Sequence, residues 1–266
     1  MSELVPTFRV GDLDVPDLEG SVSEWQTSDG RAMFGLQRYE SNWVVVENAA
    51  AFEFGAEGEV WAVPENSISE RALDDLWRRS VLPLVVQARG TQVLHASAVR
   101  RADGAIVALC GSTTAGKSTL AAALMQRYGL EVVADDALAF TVENREALAH
   151  PLPFELRLRP ESAEALGLPA VALERDAAEP GRLAEVVLLD PRPDFTLRLQ
   201  AVDDFSAYAQ LMPHAYCFAL EEGKERLVHD YAALLVPITV LRLTYPQSFD
   251  GLDATLAELD SVVMPQ

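Results

Sequence analysis

The sequence predicts an α/β protein, α+β overall, in which a small β-rich region precedes a larger domain of alternating strands and helices. Three observations predict it. Short apolar runs divided by Gly, Asp, Asn and Pro occupy residues 1–65, the pattern of a meander of short strands. From about residue 92, continuous apolar runs alternate with stretches of helical spacing, as in a sheet covered by helices. The 266 residues are 49% hydrophobic and 23% charged, enough to bury a real core in one large domain or two small ones. The expected division is 1–85, a β-rich region with a connecting helix, and 86–266.

In chain order, the first strands are expected at Phe8-Arg9-Val10, Ala32 to Leu36, Trp43 to Val46 and Val60 to Val63. Ser69 is a plausible N-cap for a helix running to Arg89, because Leu73, Leu76, Trp77, Val81 and Leu84 recur at helical spacing. Pro83 should bend or split it. Val93 to Val99 reads as a strand and Arg101 to Gly104 as a turn. Ala105 to Cys110 reads as a buried strand, and a helix follows from Lys117 to about Tyr128, stopped by Gly129. Glu131 to Ala134, Ala184 to Leu189 and Val236 to Leu243 are further strands, with a last helix between Gly251 and Val262.

Charge narrows the function classes. Asp+Glu number 41 and Lys+Arg 21, a formal charge of −20. Neutralising phosphates along a nucleic acid needs a basic face, so no nucleic acid is expected as partner. An anionic membrane surface is disfavoured for the same reason, and no run approaches 18 apolar residues. The start, MSELVPTFRVGDLDV, has early acids and no apolar h-region, so no signal peptide is expected. Cys110 and Cys217 form neither a disulfide framework nor a Cys-rich metal site. They suit buried thiols in a reducing cytoplasm.

The motif that carries chemistry is Gly111-Ser112-Thr113-Thr114-Ala115-Gly116-Lys117-Ser118, which fits GxxxxGK[ST], the phosphate-binding loop. An apolar strand precedes it and a helix-forming run follows. Glycines let the backbone curl so that N–H groups converge on an anion. The helix start adds its dipole and open N–H groups. Lys117, one of two lysines in the chain, can reach β- and γ-phosphates, and Ser118 can ligate Mg²⁺. Asp135 and Asp136 end the next strand, where such proteins place a carboxylate that meets the metal or the attacking group. His95 stands among apolar residues before the loop. His150, His214 and His229 show no metal-ligand spacing and read as structural or surface residues.

These residues resemble HPr kinase/phosphorylase and the wider group of HPr-kinase-like serine kinases. The similarity runs through His95-Ala96-Ser97-Ala98-Val99, Gly104, the phosphate loop, Leu120 to Leu124 and Val133-Ala134-Asp135-Asp136, with a weaker echo at Glu155-Leu156-Arg157. It covers about residues 92–160. The resemblance implies transfer of the γ-phosphoryl group of ATP to a serine hydroxyl with Mg²⁺. Gly111, Ser112, Thr113, Thr114, Ala115, Gly116, Lys117, Ser118 and Thr119 would hold the nucleotide. Lys117 would be catalytic, Asp135 the base with His95 beside it, and Ser118, Asp136 and Glu155 the metal side. The acceptor would be a protein, a small peptide such as a ribosomal peptide precursor, or free serine. Relatives often form rings or dimers, which leaves a homo-oligomer open.

This sequence departs from the family at three places. Thr114 stands where the family has a glycine, and a β-branched residue resists left-handed backbone. Leu158 follows Arg157 where the family has glycine. Residues 1–85 do not match the family's N-terminal domain. Two other classes therefore stand beside the kinase: a nucleotide-binding switch or ATPase, and an inactive kinase-like scaffold that binds a partner peptide.

Overall fold

The computed structural model describes residues 5–27, 29–169, 173–193, 196–218 and 221–264. Residues 1–4, which open the acidic start, lie outside the described residues. The chain divides into two compact units, residues 1–91 with 216–227, and residues 92–215 with 228–266.

In the first unit, alternating apolar and polar residues make a six-stranded sheet. Its strands are β1 (Phe8–Val10), β2 (Ser23–Gln26), β3 (Ala32–Arg38), β4 (Ser41–Val46), β5 (Ala50–Phe54) and β6 (Val60–Pro64). They lie in the order β1-β6-β5-β4-β3-β2. Strands β2 to β6 form an antiparallel meander, and β1 joins β6 in parallel. Four of these strands match the sequence expectation. The other two, β2 and β5, start among polar residues or alanines, where the periodic signal is weak.

The expected helix from Ser69 divides into α1 (Glu70–Leu76), a π-helical turn at Trp77–Val81, and α2 (Leu82–Ala88). Ser69 is its N-cap, accepting from the Ala72 N–H at 3.3 Å. Pro83 sits in the first turn of α2. It has no N–H to give, and its ring crowds the carbonyl one turn back, so the helix widens just before it. Trp77 stacks on Phe52, ring centres 5.7 Å apart. Phe218 lies against Trp25 and Phe54, at 5.8 and 5.6 Å, and is wholly buried. That aromatic packing explains why residues 216–227 belong to this unit although the sequence placed all of 86–266 in the second.

The second unit is built on a nine-stranded mixed sheet. Its first strands are β7 (Gln92–Leu94), β8 (Ala96–Arg100) and β9 (Ile106–Cys110), followed by helix α3 (Lys117–Tyr128) and β10 (Glu131–Ala134). The single strand expected over 93–99 is interrupted at His95. Strand β7 pairs with β11 (Leu138–Glu143), and β8 pairs with β9 and β10. A hairpin of β11 and β12 (Glu146–Pro151) is followed by β13 (Phe154–Leu156), α4 (Pro160–Leu166) and β14 (Leu173–Arg175). The long β15 (Gly181–Pro191) pairs with β12 near its start and lies parallel to β9 beyond it.

Next come β16 (Arg198–Ala201), α5 (Asp204–Leu211), a 3₁₀ turn at Met212–His214 and α6 (Glu221–Leu234). Strand β17 (Thr239–Tyr245) lies parallel to β15 and antiparallel to β16, and α7 (Leu252–Val263) ends the fold. The apolar faces of α3 and α7 share one core with the sheet, where Leu120, Leu124, Leu256 and Leu259 meet Val107, Val187 and Leu243. Burying each of these leucines or valines contributes about 1.5–3 kcal/mol. The three parallel strands β9, β15 and β17 end side by side, and ligands of α/β sheets bind beyond such carboxyl ends. Among the described residues no helix is long and apolar enough to cross a membrane.

Candidate functional site

Strand β9 is buried along its whole length and delivers the chain into the loop at Gly111. A side chain there has no room: a Cβ on Gly111 would stand 2.9 Å from the Cβ of Ala115 and 3.1 Å from that of Leu189. The loop then turns outward, leaving Ser112, Thr113 and Thr114 exposed. It closes on itself where the Ala115 N–H donates to the Ser112 carbonyl at 3.0 Å. Gly116 has φ +89°, a conformation glycine adopts without penalty, and it starts α3 with no side chain capping the first turn. That end of α3 carries no acid. An uncapped helix start with open N–H groups is an anion site.

Thr114 has φ +76°. The sequence led to the expectation that threonine would resist this conformation, and the loop imposes it all the same. The strain of a β-branched residue there is of order 1–3 kcal/mol.

Lys117, in the first turn of α3, is 7% exposed. Its Nζ donates to the Gly111 carbonyl at 3.0 Å and to the Ser112 carbonyl at 3.4 Å. Burial lowers its pKa, and the charges of Asp136 and Asp135 partly offset that. Ser118 donates to Asp135 Oδ1 at 2.7 Å. Ser97, on β8, donates to the same oxygen at 2.5 Å. Asp135 is thus a buried carboxylate held between the loop's serine and the neighbouring strand.

The two adjacent aspartates serve different partners. Asp136 has φ +97°, and its N–H donates to the Ala96 carbonyl at 3.1 Å. Its Oδ1 lies 3.9 Å from His95 Nε2. The resemblance put His95 beside Asp135 and gave the metal to Asp136. The structure pairs His95 with Asp136 and joins Asp135 to Ser118. The left-handed turn at Asp136 directs successive carboxylates to separate neighbours.

His95 occupies the break between β7 and β8, and its N–H donates to the His214 carbonyl at 2.7 Å. Burial first, then the Lys117 charge, pushes its pKa down to about 4, against the pull of Asp136. The imidazole is therefore neutral near pH 7. His214, which the sequence gave no role, is brought to the same place. It also feels the Lys117 charge, and its pKa is lowered chiefly by burial. The antiparallel bridge between Leu94 and Ala215 helps place it there, and nothing near His214 in the sequence announces that pairing. Ser97, likewise unassigned from the sequence, was visible only as part of the family string.

Two further expected site residues have contacts of their own. The Thr119 hydroxyl meets Ser162 on α4 at 3.0 Å. Glu155, on β13, is 9% exposed and ion-paired with Arg157. Among the described residues no group of three or more His, Cys, Asp or Glu could enclose a metal. Ser118 with Asp135 is a donor set that suits Mg²⁺, which takes one or two protein oxygens and fills its shell with water and substrate phosphate.

No family model matches the sequence, and no curated protein matches it. Among solved structures similar to this chain is that of the HPr(Ser) kinase/phosphatase from Coxiella burnetii. The match is 16% identical and covers 62% of this chain and 90% of that one, at a TM-score of 0.34.

Proposed function

We propose that this protein is an ATP-dependent kinase of the HPr-kinase-like type, which moves a γ-phosphoryl group to a serine hydroxyl of a protein, a small peptide or free serine. The observation that carries the reading is the contact of Ser118 with the buried Asp135 at 2.7 Å. It joins a phosphate loop to a strand-end carboxylate, the two halves of a nucleotide–magnesium site.

The loop's N–H groups and the open start of α3 receive the phosphates. Lys117 leaves the Gly111 and Ser112 carbonyls to reach them, and its low exposure strengthens that interaction. Ser118 and Asp135 would hold Mg²⁺. When bound, the ion neutralises charge on the phosphoryl group in flight. Asp136 stands beside the neutral His95. It is the carboxylate that takes the acceptor's proton, while His95 orients it. Proton removal is late in a loose phosphoryl-transfer transition state, so a carboxylate is a sufficient base.

The test is transfer from γ-labelled ATP with Mg²⁺, using free serine, an HPr protein and short serine peptides as acceptors. Lys117→Ala should abolish transfer. Asp135→Asn should lose activity and raise the Mg²⁺ concentration needed for half-maximal rate. Asp136→Asn should lower kcat at an unchanged Mg²⁺ requirement. Nucleotide hydrolysis with no labelled acceptor would favour a switch or ATPase, and unchanged transfer in Asp136→Asn would remove its role as base.

A further inference from the structure

The loop is held from outside by residues of the β17–α7 connection. Tyr245, the last residue of β17, donates its hydroxyl to the Ala115 carbonyl. Gln247, two residues on, donates its side-chain amide to the Thr114 carbonyl. Tyr245 is 4% exposed. Its backbone is fixed as well: it pairs with Pro191 across β15, and its carbonyl accepts from the Arg192 N–H at 2.8 Å. The fit at the loop is close, since a Cβ on Gly116 would come within 3.1 Å of the Tyr245 oxygen. Burial raises the phenol's pKa to about 12, so the hydroxyl keeps its proton and donates at any working pH.

A trans peptide is planar, with C=O and the following N–H pointing in opposite directions. Fixing the Ala115 carbonyl therefore fixes the Gly116 N–H, at the open start of α3. Fixing the Thr114 carbonyl holds the residue whose φ of +76° is the least comfortable in the loop.

We infer that Tyr245 and Gln247 are positioning residues for nucleotide binding, a latch that keeps a loop strained at Thr114 in its phosphate-receiving shape. The inference deepens the kinase reading and rests on it. Where a glycine at position 114 would take up positive φ at no steric penalty, this chain holds a threonine there by two outside hydrogen bonds.

The test is ADP binding with Mg²⁺ by calorimetry, on the full chain. Tyr245→Phe keeps the ring and removes the donor; it should weaken ADP about tenfold, and the more exposed Gln247→Ala about threefold, within the range for a lost hydrogen bond. Adding Thr114→Gly to either variant should return affinity to within about threefold of the starting protein. In transfer assays KM for ATP should rise in Tyr245→Phe with kcat at saturating ATP unchanged, whereas a general loss of folded protein lowers kcat. Equal ADP affinity in Tyr245→Phe and the starting protein overturns the latch. So does a further loss on adding Thr114→Gly. Absence of ADP binding by the unaltered protein overturns the nucleotide reading itself, and the latch with it.

Discussion

His95 is uncharged at neutral pH because burial and the Lys117 charge outweigh the attraction of Asp136. Its folded pKa, about 4, lies below the ordinary 6.5, so the unfolded chain takes up a proton first as the pH falls. The stability contributed by the neutral ring is complete above pH 6.5 and is lost progressively toward pH 4. His95→Gln should therefore flatten the decline in the urea midpoint between pH 7.5 and pH 5. His150 and His214 are shifted downward too and contribute in the same direction. Equal declines in both proteins would clear His95 of this role. At this scale the sequence was readable where spacing is local. The loop, its lysine and the aspartate pair follow one another within 26 residues. The separate contacts of Asp135 and Asp136 were not, because they go with a backbone angle at Asp136, φ +97°. His214 was hidden for a different reason, since a contact across more than a hundred residues leaves no local periodicity.

The strand–loop–helix element around residue 111 depends on how closely β9 and β15 approach. Gly111→Ala places a methyl group against Ala115 and Leu189. Both neighbours are buried, so the strain is relieved only by moving the loop off β15. Stability should fall by about 1–3 kcal/mol, with ADP affinity falling by more than the latch variants lose. Denaturant unfolding with and without ADP measures both. A variant as stable as the parent would mean that the loop gives way freely. The strands most visible in the sequence are those that are apolar throughout, such as β9 and β15. The hairpin β11–β12, the helices α4 to α6 and the short β13, β14 and β16 were not anticipated. Alternation in β12 is carried by alanines, and β14 and β16 are largely polar, so neither period stands out. The break at His95 is not legible in the sequence either, because β7 and β8 form one apolar run yet pair with different strands.

For the molecule as a whole, the boundary expected at residue 85 lies six residues short of the compact unit's end at residue 91, and the return of 216–227 was not legible. Nothing in that short segment says which aromatic residues it joins. Phe218 carries the connection within the first unit. Its backbone N–H donates to the buried Gln87 side chain at 2.7 Å, and its ring meets Trp25 and Phe54. Phe218→Ala should destabilise this unit by about 3–5 kcal/mol. Calorimetric unfolding should show that loss, and a change below about 1 kcal/mol would demote the segment to a surface strap.

The interleaved order of the two units has a consequence during synthesis. A ribosome finishes the six-stranded sheet of the first unit by residue 64, yet the ring that fills the space beside Trp25, Gly35 and Phe54 arrives only at Phe218. At about 5–20 residues per second, the interval from Thr91 to Phe218 lasts roughly 6–25 s. Through that interval the nascent sheet shows aromatic surface to solvent or to a chaperone. The amino-terminal unit begins first and cannot close until most of its neighbour has been made.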